Sequence, residues 1–483
     1  MKFKGKFISF DQLNTISMTE YRHPRTCILL ILFLLLEVSL FADKPNFIII
    51  FTDDQGYNDL GCFGSANIKT PNIDKMASLG MKLTNFHVPS PVCSPSRASL
   101  LTGRYPGRTG VNKVFFPRSN TGLNPREHTI AELLKEAGYK TKAVGKWHLG
   151  HKKDFLPTNQ GFDSYFGIPY SNDMDHDPSM EVSDMCLFRE GATLKGFKNN
   201  KGMKNKVPLF RNHRVVEYPA DQSTITKRYV EESLNFIEKN KGTPFFLYLA
   251  QTMPHVPLYV SKEFEGKSDA GLYGDCIQEI DHGVGKIIDK LKELKIDKNT
   301  FVIYTSDNGP WDFKGDDKFR VKGNMNRRVG GSAAPFRGAK FTTWEGGVRV
   351  PTLMLFPGRI PAGVVNDQLA STLDIYPTIA SMAEIPIKSE RKIDGVDLSD
   401  LLRDPSKSVR EVLHLQNRKT PAVIKGNWKL RANQLFNLKK DVGEKEDLSS
   451  RHPEIASELS LLLQKHRVDL KIDASPLIGM DKL

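Results

Sequence analysis

Cysteine is scarce in this chain of 483 residues: five occur, at Cys27, Cys62, Cys93, Cys186 and Cys276. Their wide spacing excludes a dense disulfide framework, and no Cys/His cluster is present to hold zinc. Internal repeats are absent too. Long apolar runs are nearly so: one unbroken run, Cys27–Leu36, is too short to span a bilayer comfortably. Arg22, His23 and Arg25 precede that run, and Ser39-Leu40-Phe41-Ala42 follows it, ending in a small residue. The order basic, apolar, small predicts a secretory signal over residues 1–42. It also predicts export to the periplasm or the extracellular space, with no stable membrane anchor expected and an anchor formed by this run as the alternative reading. The polar stretch before Met18 is foreign to such signals, so Met18 is an alternative start. Cys27 sits at the head of the apolar run, which does not suit lipoprotein cleavage, and it leaves with the signal. If Cys93 is reserved for chemistry, three cysteines remain, and an odd number cannot all pair within the chain.

What is present is ordinary for a globular protein: 39% hydrophobic and 26% charged residues, which excludes global disorder. The length predicts a large domain, residues 43–405, and a smaller one, residues 406–483, after a composition shift near 405. The formal charge is +13. Residues 1–42 carry five Lys/Arg and three Asp/Glu, and removing their net +2 leaves +11. A basic exported protein suits a polyanionic partner, because its field raises the local concentration of anions. Nucleic acid and sulfated polysaccharide meet that description equally.

Pro45–Thr52 is a mostly apolar run ending in Asp53-Asp54, the pattern of a buried central strand with polar residues at its carboxyl end. Phe245–Ala250 and Phe301–Thr305 repeat it, ending near His255 and at Asp307-Asn308. Helical patterns over His128–Ala137, Ser223–Lys239 and Ile277–Leu294 lie between. Alternation of strand and helix predicts an α/β fold with a largely parallel sheet and a ligand site beyond the strands' carboxyl ends. Residues 185–215 and 311–336 read as polar surface insertions. In the second, Lys314, Lys318, Arg320, Lys322, Arg327 and Arg328 form either a solvated loop or a basic rim that guides an anion. Beyond 405, a strand at Ala422–Lys425, a turn at Gly426-Asn427, the segment Trp428–Leu430 and a helix over Pro453–Arg467 predict a small α+β unit.

The segment Pro91-Val-Cys93-Ser-Pro95-Ser-Arg97 places the cysteine between prolines, with a helix expected from Ser96 onward. A helix N-terminus there favours anions. A solitary cysteine ordinarily reads as a small buried hydrophobe. Asp53, Asp54, Asp307 and Asn308 offer four hard oxygen donors from the ends of two strands, a set for calcium or magnesium and not for zinc. Asp53-Asp54 alone would read as a turn. Arg97 lies about one helical turn after Cys93 and can face the same point. Lys146 and Lys340 can hold oxyanions as point charges, and His148 and His255 suit proton transfer near neutral pH. Tyr170–Asp177 reads as a loop at the pocket mouth or as an ordinary polar turn. His213 and Trp428 are weaker sugar-contact candidates.

Cys93-Ser-Pro95-Ser-Arg97, continued by Leu100-Leu101-Thr102-Gly103, resembles the signature of type I sulfatases, in which the cysteine is oxidised to formylglycine. Gly138–Gly145 followed by Lys146-Trp147-His148 resembles the second signature. Phe336–Gly347 and Leu435–Glu444 continue the likeness, which runs from about Pro45 to Leu448 and is of the arylsulfatase and N-acetylgalactosamine-6-sulfatase kind. The resemblance implies an alkaline-phosphatase-like sandwich and hydrolysis of sulfate esters on a sulfated carbohydrate, not nucleic acid. It implies a maturation enzyme that generates the formylglycine, and calcium in preference to magnesium at Asp53, Asp54, Cys93, Asp307 and Asn308. In such a site the aldehyde hydrate attacks sulfur and expels the alcohol, leaving a sulfated enzyme. Its second hydroxyl then drives release of sulfate. By the same resemblance His148 assists sulfate release, and His255, with Lys340, protonates the leaving alcohol. Two other readings stay open: a phosphonate monoester or phosphodiester hydrolase on this fold, and a catalytically silent polyanion binder in which Cys93 stays a thiol.

Overall fold

Alternate residues of Asn46–Thr52 feed two different cores. Phe47, Ile49 and Phe51 enter one, Ile48 and Ile50 the other, and all are buried. A strand apolar on both faces must be covered on both faces, and that requirement organises the molecule. A computed structural model describes residues 44–199, 206–311, 330–388 and 391–477. From Pro45 onward these belong to one compact unit. The expected signal segment and the six basic residues of the 311–336 stretch lie outside the described residues.

Strands in chain order are β1 (Asn46–Thr52), β2 (Met81–Leu83), β3 (Phe86–His87), β4 (Lys140–Gly145), β5 (Ser164–Gly167), β6 (Val182–Phe188), β7 (Leu209–Arg211), β8 (Arg214–Tyr218) and β9 (Phe245–Ala250). They continue with β10 (Thr300–Ser306), β11 (Thr352–Leu355), β12 (Val364–Asn366), β13 (Ala370–Ser371), β14 (Val412–Leu415), β15 (Ala422–Lys425), β16 (Trp428–Arg431) and β17 (Gln434–Asn437). Five helices matter below: α1 (Pro71–Leu79), α2 (Cys93–Thr102), α3 (Ile225–Lys239), α4 (Gly271–Glu293) and α5 (Pro453–Ile472).

The main sheet has eleven strands in the order β12-β2-β11-β10-β1-β9-β4-β5-β7-β8-β6. At its centre β10, β1, β9, β4 and β5 all run parallel. The antiparallel pairs lie outside that block, at β10–β11, β11–β2, β5–β7 and β7–β8. The alkaline-phosphatase-like architecture, a mixed and mostly parallel sheet between helices, is therefore present. Helices α1, α3 and α4 cover one face through Ile73, Tyr229, Ile237, Ile277 and Ile280; α2 covers the other through Ala98, Leu100 and Leu101. A separate four-stranded antiparallel sheet, β14-β15-β16-β17, carries its own small core of Val423, Leu430, Leu435 and Leu459, the last from α5.

Three local expectations fail for identifiable reasons. Helix α2 starts at Cys93, with Val92 as its cap, not at Ser96. Pro95 falls in the first turn, where the backbone N–H has no helical partner to lose. Helix α4 starts at Gly271, six residues before its apolar periodicity begins. Its glycines disfavour helix on propensity, but Gly274 packs so close to Ser268 that a Cβ would come within 2.0 Å of that hydroxyl. Finally, 185–215 is not simply a surface insertion: Val182–Phe188 and Leu209–Tyr218 complete one edge of the main sheet. Its strands are short or half-exposed, with Asp184, Arg211 and Arg214 outward, and so lack an apolar run.

Candidate active site

Parallel packing of β10, β1, β9 and β4 brings their carboxyl ends to one edge, where Thr52 lies beside Ser306, and Phe51 and Gly145 both lie beside Ala250. Each strand then releases its polar cluster at that edge: Asp53-Asp54 after β1, Asp307-Asn308 after β10, Lys146 and His148 after β4, and His255 after β9. Helix α2 delivers Cys93 and Arg97, and the loop before β11 delivers Lys340. All ten side chains are buried. The edge is tight. Gly145 has φ 104°, and a Cβ there would stand 1.8 Å from the Ala250 carbonyl oxygen. Asp54, His148 and Phe341 hold positive φ of 60°, 58° and 70°. Such strain persists only where surrounding contacts over-determine the backbone, and it gathers at functional sites.

Three carboxylates meet three cations here. Arg97 donates from Nε (3.0 Å) and Nη2 (2.8 Å) to one oxygen of Asp307, and from Nη1 to the Lys146 carbonyl (3.0 Å). The other Asp307 oxygen accepts the Asp54 N–H at 3.1 Å. Lys146 donates to Asp53. Lys340 donates to Asp54 at 2.7 Å and reaches the Cys93 sulfur at 3.4 Å. The Cys93 thiol lies 3.6 Å from Asp53. Burial raises the Cys93 pKa, with Asp307 adding to it, so the thiol stays protonated. Burial also raises Asp53 to about 7 against the pull of Lys146, and raises Asp54 against Lys340. Burial would raise Asp307 as well, yet Arg97, Lys146 and Lys340 outweigh it and hold this carboxyl below the usual range. The same carboxylates hold Lys340 above its ordinary value in spite of burial.

These donors fit a hard cation. One ligand atom each from Asp53, Asp54, Cys93 and His255 lies within 4.8 Å of the others. Burial pushes two of those carboxyls toward protonation, which an added positive charge would reverse. Among the described residues, buried Asn308 Oδ1 accepts no hydrogen bond, while its Nδ2 donates to Asp54 at 2.7 Å. An orphaned oxygen beside clustered carboxylates is what an oxygen-liganded ion requires.

Both histidines are neutral. Burial, then Lys146, holds His148 well below its usual pKa; burial, then Lys340, does the same to His255. His148 Nε2 faces the Phe115 carbonyl at 3.0 Å, which makes it the donor and leaves Nδ1 a lone pair with no partner among the described residues. His255 Nδ1 faces the Val256 carbonyl and, at 3.0 Å, Asn172 Oδ1. The proton therefore sits on Nδ1, and Nε2, 3.5 Å from Asp54, carries the lone pair.

Three neighbours have no individual role in the sequence reading. Ser171 lies 3.3 Å from Lys146 Nζ and 3.2 Å from His255 Nε2, and Asn172 fixes His255 while donating to the Pro257 carbonyl at 2.8 Å. Both are buried, so this end of the Tyr170–Asp177 segment supports the site from within and does not form its mouth. The Trp311 ring packs 5.6 Å from His255, and Lys340 Nζ lies 4.8 Å from it. No motif marks any of the three. His213 and Trp428 are elsewhere: one stands 3.9 Å from Glu181 at the β7–β8 turn, the other packs on His452.

Buried cations, clustered carboxylates and a cysteine at a helix N-terminus, gathered beyond the strand ends, are the make-up of a hydrolase for small anionic esters. The sulfatase family model matches residues 45–385. Human arylsulfatase G is 40% identical over 396 residues, spanning 78% of this chain and 72% of that protein. The N-acetylgalactosamine-6-sulfatase of Canis lupus familiaris is 39% identical over 404 residues, spanning 80% and 71%. The structure of Ps i-CgsB in complex with k-i-k-neocarrahexaose aligns with a TM-score of 0.75 at 31% identity, covering 91% of this chain and 96% of that one. The chain belongs to the sulfatase family and is a sulfuric ester hydrolase.

Proposed function

We propose that the chain removes sulfate from a sulfated carbohydrate, with Cys93 converted to formylglycine as its nucleophile and calcium held by Asp53, Asp54, Asp307, Asn308 and residue 93. The observation that carries this reading is the convergence of those donors with Arg97, Lys146 and Lys340 at one buried point beyond the strand ends. The unmodified thiol, held protonated by burial, is a poor nucleophile, which favours a modified residue at 93. A formylglycine there would supply a hydroxyl nucleophile with a second hydroxyl for release, and calcium would supply positive charge that neutralises sulfate oxygens.

The remaining tasks fall to side chains. Lys146 and Lys340 already hold carboxylates, and they can turn to sulfate oxygens once a divalent cation takes up Asp53 and Asp54. Arg97 keeps Asp307 ionised and in place. His255 Nε2, beside Ser171 and Asp54, is the nitrogen that exchanges a proton with the leaving alcohol. A bound sulfate offsets the lysine charges that depress it, so it gains basicity when the substrate arrives. His148 Nδ1, with Nε2 tied to Phe115, is the base that assists sulfate release. A sulfated saccharide accords with the names of the relatives, with k-i-k-neocarrahexaose bound to Ps i-CgsB and with the net positive charge. Export and a formylglycine-generating maturation partner belong to the same proposal. Among the described residues, no helix is long and apolar enough to cross a membrane.

The test compares turnover of an aryl sulfate with that of an aryl phosphonate by matured protein, beside Cys93→Ala. Sulfate turnover should dominate and vanish in Cys93→Ala, while folding is retained. Preference for the phosphonate, or substantial sulfate release by Cys93→Ala, would overturn the proposal. A panel of defined sulfated saccharides then identifies the sugar and the sulfate position.

A further inference from the structure

Two segments of the chain, Phe341–Gly347 and the run ending at Glu444, take no part in the chemistry above, yet they meet in the interior. Lys340 lies between β10 and β11, and among the described residues around it no strand pairs with the main sheet. Main-domain carbonyls take the Lys340 and Phe341 N–H groups, at Pro310 (3.0 Å) and Pro91 (2.9 Å), and the four-stranded sheet grips the residues that follow. The Trp344 ring lies between two guanidinium groups, Arg337 of its own loop and Arg431 of β16, each 3.8 Å from its centroid, with Phe436 of β17 against its edge at 5.5 Å. The next residue, Glu345, is fully buried and accepts from Lys429 of β16 at 2.8 Å; its N–H donates to Glu444 at 2.7 Å. Lys429 also lies 2.9 Å from Glu444. On the far side Glu345 meets His87 at 2.9 Å and Arg349 at 3.3 Å. Arg337 donates to the Glu444 carbonyl at 2.8 Å, Asn417 to the Phe341 carbonyl at 3.0 Å, and Thr343 to the Thr420 carbonyl at 2.5 Å.

We infer that the four-stranded sheet is a clamp on the Lys340 loop, with Lys429 and Arg431 as positioning residues that hold the Lys340 ammonium against Asp54 and position 93. Buried ion pairs add little net stability over apolar packing but tolerate few geometries, so they set position more than they add cohesion. Here Lys429 is the cation that lets two buried carboxylates, Glu345 and Glu444, share one place, and without it their repulsion pushes the loop off the sheet. Trp344, fixed between two planar cations, sets the loop's rotation, and Lys340 lies four residues before it. The inference rests on the role given to Lys340 in the proposed function.

A double-mutant cycle separates positioning from general stability, because residues acting through a common partner fail to add. Lys429→Met and Arg431→Gln are made in the matured wild type and in Lys340→Ala, with aryl sulfate kinetics and thermal melts on each. Arg431 is only part-buried, so Arg431→Gln serves if Lys429→Met does not fold. Each should lower kcat/KM by between roughly tenfold and a hundredfold in the wild type, the effect of a reacting group displaced by up to about an ångström. Neither should cause further loss in the Lys340→Ala background. Equal losses in both backgrounds, or a folded variant with wild-type kcat/KM, would overturn the clamp. If Lys340→Ala itself turned over like the wild type, the proposed function would fall together with the inference.

Discussion

Replacing Arg97 by methionine removes the cation around which Asp307 is arranged. Arg97 is fully buried, and its fork gives two hydrogen bonds to one Asp307 oxygen, at 3.0 and 2.8 Å, and a third to the Lys146 carbonyl. Methionine keeps much of the stem and none of the donors. Asp307 would retain the Asp54 N–H on its other oxygen, at 3.1 Å, but would face the interior without its nearest counter-charge. Breaking a buried pair from one side costs about 3–5 kcal/mol, because the remaining charge is left uncompensated. For a fold of this size that is a drop of several degrees in melting temperature. Misplacing Asp307 and the Lys146 backbone should also cost about a hundredfold in kcat, the scale of losing one preorganised electrostatic contact. Arg97→Lys should recover little, since one ammonium cannot span the carboxylate and the Lys146 carbonyl together. The assay pairs thermal unfolding with aryl sulfate turnover on matured, calcium-loaded protein. A variant that melts and turns over like the wild type would refute the claim that this pair organises the site.

Thorough calcium removal by a chelator should abolish turnover, and calcium should restore it; activity that survives chelation would remove the metal from the account. Asn172→Ala frees His255 Nδ1 from one of its acceptors, and should lower kcat about tenfold with little change in melting temperature; an unchanged kcat would mean that the Val256 carbonyl alone orients the ring. The stacked pair His414 and His466, 3.9 Å apart between β14 and α5, predicts a pH dependence. Burial, then Arg410, pushes His414 down to about 4; burial, then His414, pushes His466 down to about 2. The unfolded chain takes up these protons near the ordinary value of 6.5, and the folded chain takes them up only well below it. Their contribution is therefore complete above that value and is lost as pH falls, by up to about 1.4 kcal/mol per unit for each ring. His466→Gln should flatten the decline in melting temperature on acidification below pH 6; an equally steep decline in the variant would exclude the pair as its source.

Much of the site can be read in the sequence because each polar cluster follows a strand too apolar to be anything but buried, and parallel neighbours must empty their carboxyl ends on one edge. Asp53-Asp54 and Asp307-Asn308 are visible for that reason. Cys93, Lys146 and Lys340 needed the family resemblance, since nothing in their spacing says that α2, β4 and a long loop converge. Ser171 and Asn172 read only as part of a mouth loop or an ordinary polar turn, because a short polar residue looks the same whether it faces water or holds a histidine. Lys429 misleads in the opposite sense: a lysine in a strand suggests a solvated face, yet it is fully buried between two carboxylates. Only its contacts with Glu345, 84 residues before it, and Glu444, 15 residues after it, reveal it. The edge strands β6 to β8 are hard to read because they are short, carry Ser183, Asp184, Arg211 and Arg214, and are separated by the Lys- and Asn-rich stretch 195–206, all of which an exposed edge tolerates.

The most direct measurement is the mass of the peptide spanning Cys93 from protein produced with a formylglycine-generating enzyme. The account predicts a residue that has lost sulfur and gained a carbonyl, in the same preparation that releases sulfate. An intact thiol at position 93 in a preparation that releases sulfate just as fast would contradict it.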